Sequence, residues 1–188
     1  MNFNSSLTIW YSVNKRDLPW RRSKNPYNIW LSEIILQQTQ VKQGLPYYEA
    51  FISKFSSIQD LANASETEVL KLWQGLGYYS RARNLHFSAK YITEHLGGVF
   101  PQNYKELLQL KGVGDYTASA IASICYEESV AVLDGNVYRV LARYFGPFAA
   151  VLLLSEAVLR NIVAPAAVSR PSIVRVRAYG GIEASSSR

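Results

Sequence analysis

The sequence predicts an all-α protein, and three observations carry that expectation. Up to Gly146 apolar residues return at spacings of three and four. The period-two alternation of strands is nearly absent, and Pro19, Pro26 and Pro101 fall between periodic segments. At 188 residues and 48% apolar content the chain is long enough for one domain, or two small ones, with a sizeable core. No internal repeat is visible.

The elements follow in order. Near the N-terminus Leu7, Trp10 and Val13 share one helical face, and Trp10, like Trp73 later, is expected to pack in the core. Residues 30–36 form an apolar helical stretch containing Glu33. Ser65-Glu66-Thr67-Glu68 has the pattern of a capping box, in which each end residue bonds the other's backbone, and it opens a helix carrying Val69, Leu70 and Trp73. The clearest helix spans residues 80–96: Ala82, Leu85, Ala89, Ile92 and Leu96 share a face, and Gly97-Gly98 ends it. Helices over 104–109 and 116–125 flank a glycine turn. The apolar run 130–133 leads, strand-like, to Asp134 and a further helix start.

Charge and cysteine usage narrow the class. Lys plus Arg number 20 against 14 acids, a net charge of +6 that would attract a polyanion, although many basic proteins bind none. Apolar stretches are interrupted well short of the roughly 18 residues a membrane span needs, and the first residues lack a signal pattern. A soluble protein of the cytoplasm, without a membrane partner, is expected. The single cysteine, Cys125, sits in an apolar run and reads as a small buried residue. No metal site is expected, because one thiol cannot build a thiolate-held metal site, cluster or disulfide framework. Residues 1–146 mix 8 Lys with 7 Arg, whereas 147–188 have 5 Arg, no Lys and much Ala, Val and Ser. That second part reads as one apolar helix followed by disorder, the composition of an out-of-frame reading or a fused segment.

Lys111, Gly112, Val113, Gly114 and Thr117 belong to the turn at residues 110–118. Two glycines one residue apart permit a bend that side chains would block, and its amides, with the next helix N-terminus, can receive a phosphate oxygen. The plain alternative is a corner between helices. Glu33 has no basic residue close to it in sequence, so burial would make it hold its proton more tightly, as a general acid requires; from periodicity alone it could equally face water. Asp134 precedes Gly135-Asn136-Val137 at a helix start, where a carboxylate can cap the helix and serve chemistry at once.

Five blocks in one order resemble the adenine DNA glycosylases of the helix-hairpin-helix superfamily, the MutY family. They are Leu18-Pro19-Trp20-Arg21, residues 30–40 with LSEIILQQTQ, Gly75-Leu76-Gly77-Tyr78-Tyr79-Ser80-Arg81-Ala82-Arg83-Asn84-Leu85, the hairpin, and Leu133-Asp134-Gly135-Asn136-Val137. The resemblance implies a catalytic domain over 1–146, made of an N-terminal helix plus a six-helix barrel that carries the hairpin at 110–118, with the second helical subdomain incomplete. It implies hydrolysis of the N-glycosidic bond of adenine mispaired with 8-oxoguanine or guanine in double-stranded DNA, by a monomer associated with the bacterial nucleoid. Glu33 would protonate adenine and activate water, and Asp134 would face the sugar cation. Tyr116 and Asn136 would stand beside them. Bifunctional relatives carry a lysine nucleophile where this chain has Tyr116, so a monofunctional enzyme is implied. Gln38 and Tyr78 would wedge into the base stack near Thr39 and Leu36. Trp20, Arg21 and Trp30 would line the base pocket, while Arg81 and Arg83 would contact phosphate or solvent.

The chain also departs from that family. Most members hold an iron-sulfur cluster on four cysteines, and a further domain recognises 8-oxoguanine. Residues 147–188 resemble neither, so activity is expected to be weak or absent and stability low. Two other readings stay open: a non-catalytic duplex-binding module, and an inactive truncated product.

Overall fold

In the computed structural model, which describes residues 3–132 and 134–146, every regular element is helical. The expectations for residues 147–188 lie outside the described residues. In order the elements are α1 (Phe3–Asn14), a 3-10 turn (Pro19–Arg21), α2 (Pro26–Ile35), α3 (Val41–Lys54), α4 (Ile58–Asn63), α5 (Glu66–Trp73), α6 (Ser80–His95), α7 (Tyr104–Leu107), α8 (Asp115–Tyr126) and α9 (Gly135–Phe145). The approach 130–132 carries no strand.

Helix α2 is the centre of the body. Asn25 caps it by accepting from the amides of Tyr27 and Asn28, and Pro26 occupies the first turn, where its missing N–H leaves no bond unmade. Tyr27, Ile29, Trp30, Leu31, Ser32, Ile34 and Ile35 are all buried, so the helix is enclosed on nearly every side, by α3, α6 and α8 among others. A helix so apolar has to be central, because an exposed face would have kept such side chains in water. Glu33 and Asn28 are its only residues short of full burial after Pro26.

Around this axis the core closes edge to face. Phe51 of α3 meets Trp73 of α5 at 5.9 Å, and Trp30 meets Phe100 at 5.5 Å. Ser65 and Glu68 form the expected capping box. Helix α6 buries Ala82, Leu85, Ala89 and Ile92 as its periodicity predicts. It ends where Gly97, at φ +60°, lets the Gly98 amide return to the Ile92 carbonyl at 2.9 Å. His86, buried on the same helix, contacts the Ala64 carbonyl at 2.9 Å and fastens α6 to the α4–α5 turn.

Two expectations are corrected. Trp10 is 58% exposed rather than packed, because α1 buries none of its residues and touches α9 through Phe3, whose ring lies 4.5 Å from that of Tyr144. Cys125 is only half-buried, although burial still pushes its thiol up to about 12. The Ser65→Ala substitution should remove one cap and lower the unfolding free energy by about 1 kcal/mol in urea titrations. Thr67→Ala, on the same exposed turn, should stay within about 0.5 kcal/mol.

Candidate active site

Four side chains from four segments share one electrostatic field: Arg21 of the 3-10 turn, Glu33 of α2, Tyr116 of α8 and Asp134 at the start of α9. Glu33 is one of the two residues of α2 after Pro26 that are not fully buried. Burial, the dominant effect, pushes its carboxyl up to about 7; Arg21 opposes the rise and the charge of Asp134 adds to it. The sequence suggested that Glu33 has no basic neighbour. The fold supplies one, since Arg21 comes from twelve positions earlier.

Asp134 is the N-cap of α9, as its position predicted. Its carboxylate accepts from the Asn136 amide at 2.9 Å, the Val137 amide at 2.8 Å and Asn136 Nδ2 at 2.8 Å. The helix N-terminus adds positive partial charge. Asn136 is itself oriented, because Arg139 donates to its Oδ1 and leaves Nδ2 to face Asp134. Arg139 was not singled out from the sequence. Its signal was its place three residues after Asn136 on a helix beginning at Gly135. Tyr116 is partly exposed in the first turn of α8, and its hydroxyl is pushed up to about 12 by burial first and then by Glu33 and Asp134. It is therefore a proton-bearing donor at neutral pH.

The two residues expected to wedge into DNA share an unusual backbone. Gln38 sits at φ +56° and Tyr78 at φ +46°, a left-handed conformation that strains residues other than glycine by of order 1–3 kcal/mol. Both side chains are exposed, Tyr78 by 68%. Thr39 and Leu36, beside Gln38, are half-buried.

Arg81 departs from the phosphate-contact expectation. Its guanidinium turns inward, donating to the carbonyls of Ile34 and Ile35 at 3.3 Å, to that of Gln37, and to that of Leu76 at 3.1 Å. It also lies over the rings of Trp73 and Tyr78. One cation thus buckles the Gln38 loop to the Tyr78 loop. The end of α2 and the turn before α6 come together in the fold, and both present carbonyls that have no helical donor.

Other expected contacts are also redistributed. Trp20 and Trp30 are both buried in the core, Trp20 edge-on to Tyr48 at 5.0 Å. Arg21 is exposed and Leu36 half-buried, on the accessible side. In the hairpin, Val113 is a core anchor whose amide donates to the Leu110 carbonyl at 3.1 Å, and Thr117 is only 3% exposed. Neither presents its side chain to a ligand. Gly112, at φ +80°, lies so close to α6 that a Cβ would stand 2.9 Å from Asn84 Cβ. Gln37 Nε2 donates to its carbonyl at 3.4 Å, and Ser88 Oγ donates to that of Lys111 at 3.0 Å. Gly114 is the N-cap of α8 and offers no side-chain acceptor, so the first-turn amides have no side-chain cap. Lys111 and Gly114 are exposed.

Residues 31–169 match the family described as HhH-GPD superfamily base excision DNA repair protein. The chain is 45% identical over 144 residues to the adenine DNA glycosylase of Buchnera aphidicola subsp. Baizongia pistaciae, covering 76% of this chain and 41% of that protein. It is 49% identical over 150 residues to the adenine DNA glycosylase of Homo sapiens, covering 75% of this chain and 28% of that one. It therefore spans less than half the length of these curated relatives. Among solved structures, a thermostable thymine-DNA glycosylase superposes with TM-score 0.71 at 32% identity, over 77% of this chain and 67% of that one. A non-covalent endonuclease III–DNA complex gives 0.62 at 19% identity over 73% and 65%, a likeness of fold alone.

Two outcomes test this arrangement. Arg81→Met keeps bulk but removes the donors to the carbonyls, and should lower the unfolding free energy by roughly 2–4 kcal/mol; a loss under about 0.5 kcal/mol would contradict the buckle. For Glu33, the folded-state value near 7 lies above the unfolded 4.5. Its contribution is therefore most favourable below the unfolded pKa and is lost as pH rises through the folded one. Glu33→Gln should be more stable than the parent at pH 8 by up to about 3 kcal/mol, with the gap closing towards pH 4.

Proposed function

The chain belongs to the HhH-GPD superfamily of base excision DNA repair proteins, and on that premise we propose that it acts as a monofunctional adenine DNA glycosylase. The substrate is double-stranded DNA carrying adenine opposite 8-oxoguanine or guanine, and the products are free adenine and an abasic site. The observation that carries this reading is Glu33, with a carboxyl near pKa 7, in the same field as an N-capping Asp134.

The target nucleotide has to leave the stack to reach these groups, and exposed Gln38 and Tyr78 are suited to fill the gap. Protonated Glu33 gives its proton to a ring nitrogen of adenine as the bond between base and C1′ breaks, and the bonding pair leaves with the base. The sugar is left cationic, and the Asp134 carboxylate, held by two amides and Asn136 Nδ2, stabilises that charge. The Glu33 carboxylate then takes a proton from water as the water oxygen adds to C1′. Tyr116 donates a hydrogen bond within the site. Its phenol stands where bifunctional relatives have an amine, so no Schiff base with the sugar is formed. Arg21 and Leu36 border the base, and the amides at Gly114 and the start of α8, with Lys111, Gly112 and the hairpin they form, hold a phosphate.

The four-thiolate iron-sulfur cluster of most relatives does not fit the residues of this chain, which has one cysteine, and no step uses it. Among the described residues no helix is long and apolar enough to cross a membrane. The protein is proposed to act as a monomer at the bacterial nucleoid.

Exposed apolar residues on α1 and α9 predict low stability and a weak rate, so the assay is single-turnover, with protein in excess over an adenine:8-oxoguanine duplex. Adenine release should fall as pH rises through about 7, where Glu33 loses its proton. Glu33→Gln should reduce the rate by roughly 10²–10⁴ while retaining duplex affinity. Duplex binding with no adenine release by the unsubstituted chain would replace this reading with that of a binding module.

A further inference from the structure

Along α6 lies a groove of about 370 Å³ lined by Glu66, Arg83, Asn84, Phe87, Lys90 and Lys111, with buried His86, and neither Glu33 nor Asp134 contributes to it. Arg83, Phe87 and Lys90 stand at helical spacing on one stripe of α6, opposite the buried stripe of Ala82, Leu85, Ala89 and Ile92. Three cations therefore face one carboxylate. Glu66 pairs with Arg83, through Nε at 3.1 Å. Lys90 has no carboxylate partner among the described residues, and Lys111 Nζ lies 4.1 Å from the centroid of the Phe87 ring. That ring is half-exposed, at 50%, and holds the ammonium over the groove.

The groove is continuous with the hairpin. Lys111 precedes Gly112, whose backbone lies against the Asn84 side chain, and Ser88 of α6 donates to the Lys111 carbonyl at 3.0 Å. One wall therefore belongs to both features. We propose that this groove is a second site for the DNA phosphodiester backbone, beside the phosphate seated at the start of α8. Lys90, Arg83 and Lys111 neutralise the strand there without reading its sequence. A polymeric anion suits the arrangement because it spans both features at once, whereas a small free anion would meet an open groove with no enclosing donors. The assignment rests on the duplex-binding reading above and extends it along α6.

The test measures duplex affinity of the full chain by fluorescence anisotropy across salt concentrations, using one undamaged and one mispaired duplex. Lys90→Gln should weaken both several-fold and make the log Kd against log salt slope shallower by about 0.9 for the lost phosphate contact. Lys90→Glu should weaken them further. Lys71→Gln, an exposed lysine on α5, serves as the charge control and should leave the slope unchanged. Thermal transitions of all three should match the parent. An unchanged slope for Lys90→Gln, or an equal fall for Lys71→Gln, would overturn the groove while leaving the glycosylase reading intact. Failure of the unsubstituted chain to bind either duplex would overturn both.

Discussion

The burial of α2 is the constraint on which the other features depend. Seven of its ten residues are withdrawn from water, so the helix is fixed by packing from several neighbours at once, and its one acidic side chain cannot be fully hydrated. Desolvation moves Glu33 from 4.5 to about 7, a difference worth about 3 kcal/mol between its two protonation states. The core around Trp30, Ile35, Phe51 and Trp73 has to exceed that penalty at neutral pH. The same packing that makes the helix rigid therefore makes its carboxyl an acid near neutrality.

Asp134 is treated in the opposite way. It stands at a helix start with three donors around it, two backbone amides and Asn136 Nδ2. Two carboxyl groups in one field divide the proposed labour because one is stripped of water and the other is supplied with hydrogen bonds. Arg139 and Asn136 extend this order outward, each fixing the next group inward.

Strain and its restraint occur together on the side proposed to meet DNA. Gln38 and Tyr78 both adopt left-handed backbone, and the Arg81 guanidinium bonds carbonyls in both of their loops. A half-buried charge shared among several carbonyls holds two loops in conformations that neither would keep alone. The outer faces of α1 and α9 lack any such restraint among the described residues, with Trp10, Val13, Val140 and Tyr144 all exposed. These helices add little to the core, and the exposed surface accounts for the low stability expected of the chain.

Much was legible in the sequence because it depends on neighbours close along the chain. The helix period, the Ser65 capping box, the Gly97 stop and the Asp134 cap are local matters of spacing and backbone geometry, and all four are present. The direction of Glu33 and the partners of Arg81 were not legible. Glu33 on an apolar helix could have faced water, and only the packing of α3, α6 and α8 around α2, with Asp134 brought close, shows its proton to be tightly held. Arg81 follows Tyr78-Tyr79 at a helix start, a place where the sequence allows phosphate contact or solvation. The carbonyls that captured it belong partly to α2, more than forty residues away. Sequence alone thus determined the all-helical class and the residues proposed to carry chemistry, since these follow from local periodicity, caps and motif order. The tertiary structure decided which of those residues face the site, because desolvation and long-range hydrogen bonding exist only once distant segments meet.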